Sequence, residues 1–168
     1  MNRKTRMFVI VIAAAIGMVM MALMNAFSGK RILLETHKEQ IKFSVQSIYN
    51  TVAYFQEQEA SGKLSREEAQ RQAKAVIKSA RYSGDDRKSN YFYVYTMEGV
   101  GVVPPKPEWE GQNLLGKIKD GKGRMTLDDL IASVRSAPEA YVDTDFPRPG
   151  GEDPVPKQAF VMKFEPWN

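Results

Sequence analysis

Residues 7–27 form an almost continuous apolar run near the start of the chain. Nineteen of these 21 positions are hydrophobic, only Gly17 and Asn25 depart from the pattern, and none is charged. As a helix the run is roughly 30 Å long, the thickness of a bilayer's hydrocarbon core. A buried core helix would show a polar face, and a cleaved signal peptide would have a shorter apolar core and a small-residue cleavage site. The pattern therefore favours an uncleaved transmembrane signal anchor.

The charges that flank this run predict its orientation. The tail 1–6 carries three basic residues and no acidic one, and two basic residues follow the run at 30 and 31. Because positive charge on short flanking segments stays on the cytoplasmic side, we expect a cytoplasmic N-terminus. Residues 28–168 would then lie on the other side of the membrane, which in a bacterium is the periplasm, and the chain would cross the inner membrane once.

Hydrophobic positions recur with a helical period in the next segment, residues 28–60. The spacings are 4, 3, 4 and 3, over Ile41, Val45, Ile48, Val52 and Phe55. Such a stripe needs a surface to cover it. It can pack on the sheet of its own domain, on the helix of a second copy, or on both at different heights, and we expect the lower half to pack on its own domain.

A second helix is predicted from residue 66 to about Ala80. Ser65 and Glu68 have the spacing of a capping box, in which the Ser65 hydroxyl accepts from the Glu68 amide and the Glu68 carboxylate reaches back. After a turn-rich break at 81–86 the hydrophobic period changes from 3.6 to 2, which indicates strands. The predicted order is strand 91–95, turn 97–99, return strand 100–103, loop 105–124, helix 126–136, strand 140–146 and strand 157–164. Hairpins with helices to one side favour an antiparallel α+β fold.

Composition excludes several kinds of chemistry. The chain has no cysteine and a single histidine, His37. Disulfide scaffolds and thiolate metal sites are therefore excluded, and we predict no metal and no cofactor. The net charge is +4, of which the tail 1–6 supplies +3, so the remainder is nearly neutral. We therefore expect no nucleic-acid partner.

Three acidic pairs could suggest acid–base catalysis, but their positions argue against it. One lies in a turn, the second opens a helix, where acids are favoured by the dipole, and the third alternates along one face of a strand that we expect to face solvent. They are Asp85 with Asp86, Asp128 with Asp129, and Asp143 with Asp145. We therefore predict no catalytic residues and no enzyme.

Seven short strings, in this order, resemble the single-Cache, PAS-like extracytoplasmic sensor domain of bacterial methyl-accepting chemotaxis proteins. The resemblance covers about residues 30–168 and includes the preceding anchor. The strings are ARYSG at 80–84, NYFYVY at 90–95, EGV at 98–100, PEWEGQNLL at 107–115, FPRPG at 146–150, PVPK at 154–157 and FEPW at 164–167.

The resemblance implies a long helix, a PAS-like antiparallel sheet and a pocket for a small ligand, often a short organic acid. The positions carried over as ligand-binding are Arg81, Tyr91, Tyr93, Phe146 and Lys157. Arg81 could instead be a surface arginine, the two tyrosines could be aromatic core, and Lys157 could protect a strand edge. Val103 and Phe146 stand where many members carry polar or larger aromatic groups, which leaves room for a more apolar ligand.

The function implied is that of a small-molecule sensor in a homodimeric chemotaxis transducer, with residues 28–168 as the sensor domain. The family pattern continues beyond Trp167 with a further, central strand, a second membrane helix and a signalling module. We therefore expect a partial sequence that lacks its final strand. The alternatives are a membrane-anchored ligand-binding module and the sensor part of a histidine kinase or nucleotide cyclase.

Overall fold

The computed structural model describes residues 2–81, 90–147 and 151–167. The chain divides into two compact units, Met1–Gln40 and Ile41–Asn168. In chain order the elements are α1 Arg3–Ala60, α2 Arg66–Ser79, β1 Val94–Tyr95, β2 Gly101–Val103, a 3-10 helix Pro107–Trp109, α3 Thr126–Arg135, β3 Glu139–Pro147 and β4 Pro154–Met162.

The first unit consists of the N-terminal part of α1, up to Gln40. Within it, Arg3–Asn25 has a mean hydropathy of 2.7 and none of its residues is buried. By length and composition this segment can span a membrane. It overlaps the predicted span 7–27 and begins in the basic tail.

Helix α2 begins at the predicted cap, although only half of the predicted capping box forms. The Ser65 hydroxyl accepts a hydrogen bond from the Glu68 amide at 3.1 Å. The Glu68 carboxylate does not reach back; it accepts from the Arg71 guanidinium at 2.6 and 2.9 Å and from the Gln72 amide at 2.5 Å. A nearby cation one turn ahead therefore outcompetes the neutral backbone donor for this carboxylate.

The described strands form two antiparallel pairs, β1 with β2 and β3 with β4. The first pair is shorter than predicted because its register shifts between Val94 and Tyr95, and Tyr91 pairs instead with Arg81 through an isolated bridge. The second pair is a nine-residue ladder from Glu139–Met162 to Pro147–Pro154. These short antiparallel sheets and their flanking helices confirm the α+β class.

Strand β4 begins three residues before the predicted start at 157 and ends at Met162. Pro154 and Pro156 suggested a turn, since proline lacks the N–H that a ladder uses. Both nevertheless lie within the ladder, opposite Pro147 and Asp145. Proline is tolerated where its missing donor would not face the paired strand.

An apolar cluster under α3 forms the core of the second unit. Its buried members are Leu114, Ile118, Leu127 and Ile131. The apolar side chains of Leu127, Leu130, Ile131 and Val134 in α3 are all buried, and Leu127 is only 2% exposed. Half-buried side chains from several elements pack against this cluster: Tyr95, Met97, Trp109, Leu115 and Phe146.

The sequence interpretation of Asp145 was wrong. We expected Asp143 and Asp145 to face solvent together, yet Asp145 is buried and only Asp143 is exposed. Asp145 is buried because two cations, Lys122 and Arg124, contact its carboxylate.

Truncating Leu127 to alanine is expected to destabilise the second unit by about 2–5 kcal/mol, because the side chain is fully buried and its removal leaves a cavity. Urea unfolding of the full chain in detergent micelles, followed by the fluorescence of Trp109, measures the change. The matched control is Leu34→Ala, since Leu34 is 62% exposed. Equal effects of the two substitutions would contradict the placement of the core.

Candidate ligand-binding site

Three tyrosines project in a row from the segment that leads into β1. The ring centroids of Tyr91 and Tyr93 are 6.4 Å apart, and those of Tyr93 and Tyr95 are 5.9 Å apart. All three side chains are half-buried. The row brings the rings of Tyr91 and Tyr93 together. It also adds Tyr95, which the predicted site omitted although it has the same two-residue period.

Burial raises the pKa of the hydroxyl groups at both ends of this row. Burial raises the pKa of Tyr91. Burial, together with the neighbouring Tyr91, raises the pKa of Tyr95 to about 12. Both hydroxyls therefore remain neutral hydrogen-bond donors throughout the physiological pH range.

Arg81 lies beside this row but is exposed. It pairs with Tyr91 through an isolated antiparallel bridge. Its Nη1 donates to the carbonyls of Lys78 and Ala80, at 2.9 and 2.6 Å, at the end of α2. A cation at this position also interacts favourably with the helix dipole. The turn predicted at 82–86, with Asp85 and Asp86, lies outside the described residues.

Phe146 and Lys157 lie on the β3–β4 ladder. Lys157 is opposite Thr144, and its ammonium donates to the carbonyl of Pro147 at 2.6 Å. Phe146 is half-buried and packs against the apolar cluster. Lys157 is itself half-buried within the strand, whereas we had expected it at the strand's start.

The predicted site residues thus form two groups attached to one core. One group is Arg81, Tyr91 and Tyr93, and the other is Phe146 and Lys157. The core cluster connects them, because Tyr95 at the end of the tyrosine row and Phe146 both pack against it. This arrangement offers neutral donors, cationic donors and an aromatic surface, which together suit a small anion with an apolar part.

A polar cluster with two buried carboxylates holds β3 immediately before Phe146. We call it the Asp120 clamp, and it consists of Asp120, Lys122, Arg124 and Asp145. The Asp120 carboxylate accepts from the Arg124 Nε at 2.8 Å and from the amides of Lys122 and Arg124 at 2.9 and 3.0 Å. The guanidinium of Arg124 also contacts the Asp145 carboxylate at 2.8 Å.

The backbone of Asp145 is held by the same clamp. Its amide donates to the Asp120 carboxylate at 3.2 Å, and its carbonyl accepts from the Gly121 amide at 2.8 Å. Gly121 has no room for a side chain, since a Cβ there would lie 2.5 Å from the Cβ of Pro154 in β4. The clamp therefore locks the loop at 120–124 against both strands of the ladder.

Sequence reasoning missed this clamp, because it assigned residues 105–124 only as a loop. The available signal was an aspartate followed by Gly-x-Gly-Arg, a pattern in which aspartate accepts from backbone amides two and four residues ahead. Burial raises the pKa of Asp120, but hydrogen bonds from Arg124 and from the amides of Arg124 and Lys122 outweigh it and lower that pKa to about 2.

Within residues 2–81, 90–147 and 151–167, no group of three or more acidic or histidine side chains has an arrangement that could hold a metal ion. The clamp carboxylates of Asp120 and Asp145 are neutralised by Arg124 and Lys122.

The elements and their topology define an α+β, PAS-like fold, and comparison with known proteins gives its family. The sequence profile of Single Cache domain 2 matches residues 33–168, so the chain belongs to that family. It is 30% identical over 168 residues to the methyl-accepting chemotaxis protein McpP of Pseudomonas putida. That match covers 99% of this chain and 30% of the relative, so the chain spans less than a third of the relative's length.

Solved structures show the same fold. A periplasmic sensor domain of a chemotaxis protein is 31% identical, with a TM-score of 0.74 over 80% of this chain and 90% of that one. A Cache chemosensory domain studied for carboxylic acid recognition is 33% identical, with a TM-score of 0.73 over 82% and 90%. A methyl-accepting chemotaxis protein from Vibrio parahaemolyticus is 20% identical, with a TM-score of 0.67 over 82% and 86%, and supports the fold alone. These relatives are receptor sensor domains and not enzymes.

The Asp120 clamp is expected to make the fold sensitive to acid. Because the pKa of Asp120 falls from 3.8 to about 2 on folding, its stabilisation is complete above pH 4 and is lost as the pH falls through 2. Asp120→Asn should therefore lower the urea midpoint of the full chain at pH 7, and the difference from the unaltered chain should shrink between pH 4 and pH 2.

The control for this measurement is Asp143→Asn. Asp143 lies on the same strand as Asp145 but is exposed, and its carboxylate accepts only a neutral amide hydrogen bond from Gln158, at 2.8 Å, among the described contacts. Asp143→Asn should have little effect on the urea midpoint at pH 7 or at low pH. A stability difference for Asp120→Asn that stays constant down to pH 2 would show that Asp120 is not ionised in the fold.

Proposed function

We propose that this chain is the sensor part of a chemotaxis transducer that binds a short carboxylic acid outside the cytoplasm and signals through its membrane helix. The observation that carries the proposal is the attachment of the tyrosine row and of the Phe146–Lys157 group to one apolar cluster. The Cache domain studied for carboxylic acid recognition, 33% identical, supports the choice of ligand class.

Each candidate residue has a role that its chemistry suits. Lys157 supplies positive charge to the carboxylate, and the hydroxyls of Tyr91 and Tyr93 donate hydrogen bonds to its oxygens. Phe146 supplies the apolar wall for the acid's carbon chain. Arg81 provides a second cation at the rim, where it also caps α2. Because Phe146 has no polar atom, we expect acids with an alkyl tail to bind better than hydroxylated acids of the same length.

The proposed topology has residues 1–6 in the cytoplasm, 7–27 in the inner membrane and the sensor domain, 28–168, in the periplasm. The basic tail and the exposed apolar helix Arg3–Asn25 support it. So does the match to McpP, which covers 99% of this chain and therefore includes the anchor.

Dimerisation through α1 is part of the proposal, but on a different face from the predicted stripe. The stripe that includes Ile41, Val45 and Phe55 is half-buried within its own unit. The opposite face exposes Phe43 and Tyr54, at 65% and 55%. Large apolar side chains left exposed in this way favour contact with a second copy on that face.

Removing the charge of Lys157 is expected to weaken carboxylate binding by about 10- to 100-fold, the effect of losing a hydrogen bond to a charged group. Tyr91→Phe and Tyr93→Phe should each weaken binding in the same direction while leaving the ring packing intact. Isothermal titration of the full chain in detergent micelles with two- to four-carbon carboxylic acids, and with amines of equal length, measures this.

Two controls match these variants. Lys117→Ala removes an exposed lysine whose ammonium also donates to a backbone carbonyl, that of Asn113 at 2.7 Å. Tyr54→Phe removes an exposed hydroxyl on α1. Both controls should bind with unchanged affinity, and equal affinities in the Lys157→Ala and Lys117→Ala chains would refute the assignment of the site.

The topology can be tested directly, because the native chain has no cysteine. Asn2→Cys should be protected from a membrane-impermeant maleimide in spheroplasts, and Ser61→Cys should be labelled, since both positions are exposed in the structure. Lysis should make the first cysteine reactive. Labelling of Asn2→Cys before lysis would reverse the orientation.

A further inference from the structure

The chain that follows the middle of β4 contacts α1 at three heights; we call residues 160–167 the C-terminal strap. The contacts differ in chemistry. They are the Lys42 ammonium 5.6 Å from the centroid of the Phe160 ring, the Phe164 ring edge-on to the Tyr49 ring at 5.2 Å, and the Trp167 indole Nε1 donating to the Glu59 carboxylate at 2.5 Å.

These contacts run in the same direction along both segments. Between Lys42 and Glu59, α1 rises roughly 25 Å, and the strap follows it from Phe160 to Trp167. The lowest contact is reinforced by β3, since the Lys42 ammonium also bonds the Glu139 carboxylate. The two upper contacts reinforce each other, since the rings of Phe164 and Trp167 are 5.4 Å apart.

The same strand, β4, carries a candidate ligand residue before the strap begins. Lys157 lies three residues before Phe160 in β4, and its ammonium is held by the Pro147 carbonyl. A carboxylate is a stronger partner for an ammonium than a carbonyl is. A bound acid would therefore compete for this ammonium at the point where β4 joins the site.

We propose that the C-terminal strap is the element that couples the site to α1: a change at Lys157 moves β4, and Phe160, Phe164 and Trp167 pass the displacement to the helix. This inference rests on the proposed function for its physiological meaning, but the mechanical coupling is a property of these contacts. Helix α1 also contains the candidate membrane span. The ligand's different affinity for the two strap positions would supply the energy.

The test perturbs Lys157 by substitution and observes α1. Lys157→Met removes the hydrogen bond to Pro147 without adding a ligand. Hydrogen–deuterium exchange of the full chain in detergent micelles should then show exchange in α1, over residues 44–60, that is about two- to tenfold faster, the fold-change for one net hydrogen bond. Helix α2, which the strap does not touch in the described contacts, should be unchanged and serves as the internal reference.

The decisive comparison repeats Lys157→Met in chains with a weakened strap. Trp167→Phe keeps an aromatic ring but removes the indole donor, and Glu59→Gln weakens the same contact from the helix side. In either background Lys157→Met should alter exchange in α1 less than in the intact chain, because only the Phe160 and Phe164 contacts remain unweakened. Lys117→Met, the matched lysine control, should leave α1 unchanged in every background.

The outcomes separate the strap from the proposed ligand. Faster exchange confined to residues 140–158, or an identical change in α1 with intact and weakened straps, would overturn the coupling. Carboxylate titration is scored independently. If the chain binds no acid but passes the exchange test, the strap coupling is supported and the ligand assignment is wrong. If the chain binds acids through Lys157 but fails the exchange test, the site assignment is supported and the strap coupling is wrong.

Discussion

The packing of Tyr95 and Phe146 on one apolar cluster is the constraint on which the rest of the second unit depends. Leu114 and Ile118 come from a loop, and Leu127 and Ile131 come from α3, so the cluster gathers chain segments that form no common ladder. The two described sheets are separate and share no hydrogen bonds. Their side chains meet on this cluster, and the tyrosine row and the Phe146–Lys157 group therefore have a common support.

Polar interactions of the Asp120 clamp also hold the part of β3 that carries Phe146. The Asp120 clamp holds the side chain, amide and carbonyl of Asp145, the residue before Phe146. Asp120 and Asp145 are buried carboxylates. Burying a carboxylate destabilises a fold unless cations and amides bind its oxygens, as they do here. The same residues that make the clamp sensitive to acid thus make Phe146 rigid.

Much of this architecture could be predicted from the sequence. Period changes identified α1, α2, α3 and the strand pairs, and the cap at Ser65 was correct because it depends on neighbouring residues alone. The order of predicted hairpins and helices supplied the α+β class, and the comparisons confirm the family resemblance. Errors arose where the answer depended on distant residues: Asp145 alternates like a solvent-facing residue, but Lys122 and Arg124 bury it.

The predictions for the site residues also succeeded where they depended on neighbouring residues and failed where they depended on distant ones. Tyr91 and Tyr93 could be placed on one face because a strand has a period of two, and Tyr95 could have been added on the same ground. That Lys157 bonds the Pro147 carbonyl could not be foreseen, since it requires the register of β3 with β4. Nor could the strap, whose contacts join residues such as Glu59 and Trp167 that are 108 positions apart.

The central claim is that both groups of site residues bind one carboxylate together. Tyrosine ring-carbon NMR of the full chain in micelles tests it most directly, with resonances assigned through the Tyr91→Phe and Tyr93→Phe chains. During titration with two- to four-carbon carboxylic acids, the resonances of Tyr91 and Tyr93 should shift together and saturate at the same concentration. In Lys157→Ala both shifts should need about 10- to 100-fold more acid to reach their midpoint. Midpoints that are unchanged in Lys157→Ala, or shifts that occur only at the exposed Tyr54, would contradict the account.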